Sequence, residues 1–172
     1  MPPDRPASLR IFPDPILRGK ARPVTKIDAG VLRTIRLLEV TMRHQPHGIG
    51  IAAPQIGVSK RIAVVDVSER VAGAGRMTLI NPIIVKAWEE RPSREGCMSL
   101  PDYTAVIKRY HRVLVKWIDE AGKTREKLCE GIEAVCLQHE IDHLDGTLYI
   151  DHVISLKRDM IPRVPRKNSP LQ

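Results

Sequence analysis

The run Gln138-His139-Glu140-Ile141-Asp142-His143 sets two imidazoles four residues apart, with a carboxylate beside the first. On an α-helix, residues four apart project from one face, so His139 and His143 can converge on a single ion while Glu140 stands next to it. This is the chemical content of HExxH, the pattern of a metallohydrolase helix. A divalent ion with an open coordination position acidifies water, and a carboxylate that is not itself a ligand can shuttle the proton. The same spelling also arises by chance in a helix rich in Glu and His, or as two histidines satisfied in a core. The remaining ligand therefore decides the matter.

Catalytic sites of this kind hold the metal through three protein groups. Downstream of the motif the usual third ligands are missing. The pattern extends through Gly146, but Tyr149 stands where a metzincin places its third His, and no glutamate follows Glu140. Asp145, Asp151 and His152 are weak alternatives, so the search turns upstream to cysteine. Cys97 lies in Ser93-Arg94-Glu95-Gly96-Cys97-Met98-Ser99-Leu100-Pro101, where Gly96 permits unusual backbone angles and Pro101 ends the segment, as expected of a fixed loop. Cys129 closes a strand and reads as a small buried hydrophobe. Cys136 shares the helical face of His139 three residues on; it reads as pocket lining, with ligation as the alternative.

Around these residues the chain reads as one domain of mixed α and β elements. Asp28 is suited to cap a helix on which Val31, Ile35, Leu38 and Met42 recur at helical spacing, ending near His44 to His47. Arg61 to Val67 and Met77 to Val85 read as strands joined by a loop over Glu69 to Arg76, with Pro82 marking an edge or bend. His111 to Asp119 and Thr124 to Cys129 flank a glycine-containing turn and read as a hairpin. Gly131 then precedes the metal-site helix, whose apolar face carries Ile132, Val135, Cys136, His139 and His143. A metal placed there adjoins a hydrophobic cavity rather than open water.

Length and composition agree with that picture. At 172 residues one core is expected. Lys and Arg number 28 against 20 Asp and Glu, a formal charge of +8 that suits an acidic partner such as ribosomal RNA or simply a soluble basic protein. No apolar run approaches the roughly 20 residues needed to span a bilayer, and the N-terminus lacks a signal-peptide core. Three cysteines, an odd count, favour a reducing cytoplasm over a disulfide framework.

Three separated motifs carry a resemblance. Gly48-Ile49-Gly50-Ile51-Ala52-Ala53-Pro54-Gln55 matches GxGxAAxQ, Glu95-Gly96-Cys97-Met98-Ser99 follows, and His139-Glu140-Ile141-Asp142-His143 completes the set. Alone, the first would be a weak signal, because glycine-rich loops also cradle phosphates; here neither a preceding strand with a following helix nor GK[ST] is present. In this order the three motifs resemble peptide deformylase, over about Leu9 to Lys157. The division expected is a flexible lead at 1–8, a catalytic domain at 9–157 and a basic, proline-containing tail at 158–172.

The resemblance implies an α+β fold in which antiparallel or mixed strands enclose the central HExxH helix. It implies a hydrolase that removes the formyl group from the N-terminal methionine of new polypeptides in a bacterial-type cytoplasm, releasing formate. Cys97, His139 and His143 are then the metal ligands, and Glu140 the general base and acid for water that attacks the formyl carbon. The Gln55 amide and the Met98 backbone N–H are the oxyanion donors. Ile49, Gly50, Ile132, Val135 and Cys136 are the substrate-binding residues, the Ile49–Gly50 backbone pairing with an extended peptide. Burying a methionine side chain contributes about 2 kcal/mol to binding. One thiolate and two imidazoles suit zinc, nickel, cobalt or iron, and the resemblance favours Fe2+.

Some positions depart from the commoner pattern of that family. Met98 stands where leucine is usual, His47 replaces an acidic residue, and Thr104 occupies a place where many members carry arginine. A pair between Glu95 and Arg109 is expected to brace the cysteine segment. The tail, with Lys157, Arg158, Arg163, Arg166 and Lys167 broken by Pro162 and Pro165, reads either as a ribosome-docking element or as a solvated end. No DNA partner and no membrane association are expected. The rival readings are an HExxH endopeptidase with Tyr149 or Asp151 near the metal, and a catalytically silent relative or a metal-binding module that associates with ribosomes through its positive charge.

Overall fold

Asp28 accepts a hydrogen bond from the Val31 N–H at 2.8 Å and so starts α1, Ala29–Arg43. Val31, Ile35, Leu38 and Met42 are buried along its inner face, the stripe anticipated from their spacing. The structure, a computed structural model, describes residues 5–163. Residues 1–4 of the expected lead and 164–172 of the expected tail, Arg166 and Lys167 among them, lie outside the described residues.

The strands follow as β1 Gly50–Ala52, β2 Ile62–Val65, β3 Met77–Cys97, β4 Leu100–Ile118 and β5 Thr124–Glu130. They pair antiparallel in the order β1-β2-β3-β4-β5. The metal-motif helix, α2, covers Gly131–Leu144. A short helix α3, Leu156–Asp159, leads into β6, Met160–Pro162, which adds to β4. The fold is thus a single α+β domain with an antiparallel sheet, as expected, and among the described residues no helix is long and apolar enough to cross a membrane.

β2 shows why the core is double. Side chains alternate along a strand. Ile62 and Val64 pack with the α1 stripe, whereas Ala63 and Val65 pack with Ala134, Leu137 and Ile141 of α2. Sheet therefore separates the two helices, and each fully buried aliphatic side chain on either face contributes about 1.5–3 kcal/mol. On β4, Ala105, Ile107, Arg109, Val113, Val115 and Trp117 all turn to the buried side, which places Arg109 beneath α2 rather than in solvent.

Three expectations need correction. β3 does not stop at Val85 but runs to Cys97, because Pro82 falls in a register shift between Ile80 and Ile83, beyond the last residue that β2 pairs. The Cys97 segment is consequently not a loop: Ser93–Cys97 end β3, and Met98-Ser99 make a two-residue turn before Cys97 pairs with Leu100. Residues 160–162 belong to the sheet, so the folded body extends past the boundary expected at Lys157.

Candidate metal centre and substrate cleft

Strand alternation places Glu95 and Cys97 on the same face of β3, turned toward α2. The ligand atoms of Cys97, His139 and His143 all lie within 4.8 Å of one another. Donors sharing one ion at about 2.0–2.3 Å sit roughly 3.5 Å apart. Cys97 Sγ is 3.3 Å from His143 Nε2. His139 spends its Nδ1 on Glu95 Oε1 at 2.8 Å, leaving Nε2 for an ion. Cys97 and His143 are buried and His139 nearly so, which gives a dry site with soft donors suited to a transition metal.

The two imidazoles differ in their electrostatics. Burial opposes charge on His139, but its contacts with Cys97 and Glu95 hold its pKa well above the ordinary value. Burial and the neighbouring His139 and Arg109 charges push His143 well below, keeping its lone pair available. Glu95 is buried as well, yet hydrogen bonds from His139 and Arg109 hold it at about 2. Glu140 is different: burial raises it to about 7, and its Oε2 is buried without a partner. A carboxyl balanced near neutrality is suited to proton transfer.

Gln55 closes the site from the other side. Its Oε1 accepts from the Ala52 N–H at 2.9 Å, so its Nε2 is turned to Ser99 Oγ at 3.2 Å and Cys97 Sγ at 3.6 Å. The donor end thus faces the metal centre. Gly50 is required here by proximity: an added Cβ would lie 2.6 Å from both Cys136 Sγ and Glu140 Oε1. Gly96 does not show the unusual backbone angles anticipated, since its φ is not positive; a Cβ there would meet Thr104 Cγ2 at 3.2 Å and the mobile end of Arg163.

A cleft of about 670 Å³ opens over these groups. Its lining includes Ile49, Gly50, Ile132, Val135 and Cys136 together with Gln55, Met98 and Glu140, so the anticipated substrate residues share one cavity with the metal centre. Cys136 Sγ contacts the Ile49 carbonyl oxygen at 3.5 Å and lies outside the ligand cluster, while Cys129 is buried in the main core.

The weaker ligand alternatives are engaged elsewhere. Asp145 pairs with Arg61, Asp151 with Arg18, and His152 with Asp142. Tyr149 stacks on His139 with ring centroids 6.2 Å apart, but its hydroxyl donates to the Tyr103 carbonyl. Sequence reasoning passed over the role of Glu95 as partner of His139, and Asp142 as a second anchor for Arg109 at 2.6 Å. Reading Ser93–Cys97 as a strand would have put Glu95 beside Cys97.

The family model for polypeptide deformylase matches residues 6–159. The chain belongs to the peptide deformylase family. It is 46% identical over 156 residues to a peptide deformylase of Rhizobium meliloti, covering 90% of this chain and 89% of that one. A crystal structure of a peptide deformylase from Legionella pneumophila matches with a TM-score of 0.83 and 38% identity, over 90% of this chain and 89% of the other. A Met-Ala-Ser-bound class I type b peptide deformylase from Acinetobacter baumannii matches with a TM-score of 0.81 and 28% identity, over 88% of this chain and all of the other. As a member, this chain is an enzyme, a metal-dependent hydrolase of the family that removes N-formyl groups from nascent peptides.

Proposed function

We propose that this chain hydrolyses the N-formyl group of initiator methionine on newly made polypeptides, in the cytoplasm, using one ferrous ion held by Cys97, His139 and His143. The convergence of those three side chains beside Glu140 is the observation that carries the reading. Zinc, nickel or cobalt can occupy the same donors in preparations, since ligand type alone does not separate them. An ion so held supplies Lewis acidity and lowers the pKa of water at its open position.

Each chain residue then has one task. Glu140 accepts a proton as the water oxygen bonds to the formyl carbon, and returns it to the nitrogen as the C–N bond breaks, leaving formate and a free α-amine. The Gln55 Nε2 amide and the Met98 backbone N–H donate to the oxygen on which negative charge develops. Ile132, Val135, Cys136 and Ile49 receive the methionine side chain, and the Ile49–Gly50 backbone pairs with the extended peptide. The bound Met-Ala-Ser in the Acinetobacter baumannii relative is a deformylated peptide of this class and is consistent with such a product.

Catalysis is assigned to the domain expected at 9–157 together with β6, which adds to its sheet, and contact with the ribosome to the basic residues beyond Arg163. Deletion after Arg163 tests the second assignment, since unchanged cosedimentation with ribosomes would remove it. For the first, the purified protein is incubated anaerobically with formyl-Met-Ala-Ser and assayed for formate, with Glu140→Ala as control. Formate and Met-Ala-Ser in equal amounts are expected; cleavage of internal peptide bonds instead would replace this reading with an endopeptidase.

A further inference from the structure

The C-terminal strand brings a cation to the cleft. β6 pairs with β4 through Tyr103↔Pro162, Thr104↔Ile161 and Ala105↔Met160, and the Arg163 N–H donates to the Asp102 carbonyl at 2.8 Å. On its other edge β4 pairs Thr104 with Gly96. The Arg163 side chain crosses β4 and lies on Gly96 so closely that a Cβ there would meet its Nη2 at 2.1 Å. The guanidinium thereby joins the lining of the cleft. Among the described residues Arg163 has no ion-pair partner, whereas its basic neighbour Arg158 is paired with Asp159.

The surroundings share its sign. Arg70, Arg91 and Arg94 also border the cleft, and its two lining carboxylates, Glu95 and Glu140, are both buried, the former clamped by Arg109. Arg91 is paired with Glu89, which is not among the lining residues, so the mouth carries an excess of arginine and no exposed carboxylate in its lining. A guanidinium held by a strand and turned into such a mouth presents a planar fork of donors that matches a carboxylate.

Resting on the deformylation reading above, we infer that Arg163 is a specificity-determining residue that favours peptides with an aspartate or glutamate among the residues just after the formylated methionine. With the formyl group at Cys97, His139 and His143 and the methionine side chain among Ile49, Ile132 and Val135, the following residues leave the cavity past Gly96, on which Arg163 lies. Because Arg163 is exposed, its pull is moderate and sensitive to salt.

The experiment compares C-terminally amidated formyl-Met-Ala-Asp, formyl-Met-Ala-Ala and formyl-Met-Ala-Lys, and the isomers with the second and third residues exchanged, on the metal-loaded full chain. At low salt, kcat/KM should favour Asp over Lys about tenfold, mostly through KM, and the ratio should shrink at about 0.5 M salt. Arg163→Ala should reduce the ratio to about threefold while the neutral peptide changes less than about twofold, and Arg163→Lys should lie between. An unchanged ratio in Arg163→Ala overturns the inference. So does equal loss on all peptides, which would mean a contact with peptide backbone. Calorimetric binding of the deformylated products separates the two readings: no formate from any peptide defeats deformylation, while an Asp preference in binding that Arg163→Ala abolishes still supports the role of Arg163.

Discussion

Glu95 Oε1 lies 2.8 Å from Nδ1 of His139 while Arg109 grips the same carboxylate through Nε at 2.7 Å and Nη2 at 3.0 Å. The carboxylate fixes which imidazole nitrogen faces the ligand cluster, and Arg109 fixes the carboxylate, with Asp142 holding the guanidinium from α2. Removing one partner leaves a buried charge uncompensated. Arg109→Ala should therefore lose about 3–5 kcal/mol of stability and roughly 10- to 100-fold in metal affinity, read by denaturant unfolding and chelator competition. Normal values for both would end the bracing role.

The same carboxylate makes a prediction for acid. Its folded pKa of about 2 lies below the ordinary carboxylate value, so its contribution is present at neutral pH and disappears as pH falls from about 4 toward 2. A shift of that size corresponds to about 3 kcal/mol. Metal-free protein should lose stability through this window, and Glu95→Gln should show a flatter dependence there. Parallel curves would refute the linkage.

Legibility in the sequence followed the range of the physics. The Val31, Ile35, Leu38 and Met42 stripe and the HExxH face are set by spacing within one helix, so both helices could be read directly. The β3–β4 hairpin was partly hidden because Pro82 and Gly96 look like breaks, whereas a register shift absorbs the first and the second pairs with Thr104 as an ordinary strand residue. The cysteine ligand could be proposed from motif order. That Glu95 turns toward His139, and that Arg163 reaches Gly96 from the far edge of β4, depend on strand pairing between distant segments, which local pattern does not encode.

Gly50→Ala tests the approach of α2 to β1. The new methyl would sit 2.6 Å from Glu140 Oε1 and Cys136 Sγ, so Glu140, the proposed general base, must shift. Misplacement by about 1 Å can lower turnover about 100-fold, and overpacking typically destabilises by about 1–3 kcal/mol. Adding Cys136→Ala should recover stability more than activity, since only the sulfur clash is relieved. Equal recovery of both in kinetics and thermal unfolding would argue that Glu140 is not displaced.

Glu140→Gln separates chemistry from folding. Loss of the proton carrier should lower kcat by about 10²–10⁴-fold with metal content unchanged. Burial places the folded pKa near 7, above that of the unfolded chain, so the folded state binds more protons and the metal-free protein loses stability as pH rises from about 4.5 to 7. The amide removes that loss. The variant should thus be inactive yet at least as stable as the parent at pH 8; a destabilised variant would mean that the carboxylate is paired and ionised in the fold.

Thiol chemistry distinguishes the three cysteines. Burial with the nearby Glu133 carboxylate pushes Cys129 up to about 12, and burial with Glu140 and Glu95 pushes Cys136 well above the ordinary value. Neither should form thiolate at pH 8, and the thiolate is the reactive form. Cys97 lines the cleft within reach of both imidazoles. With metal bound, iodoacetamide should modify none of the three; after chelation, mass spectrometry should find one alkyl group, on Cys97, and readdition of metal should no longer restore formate release. Labelling of Cys136 with Cys97 left intact would instead place the metal-protected thiol on α2 and exchange the assigned roles of the two cysteines.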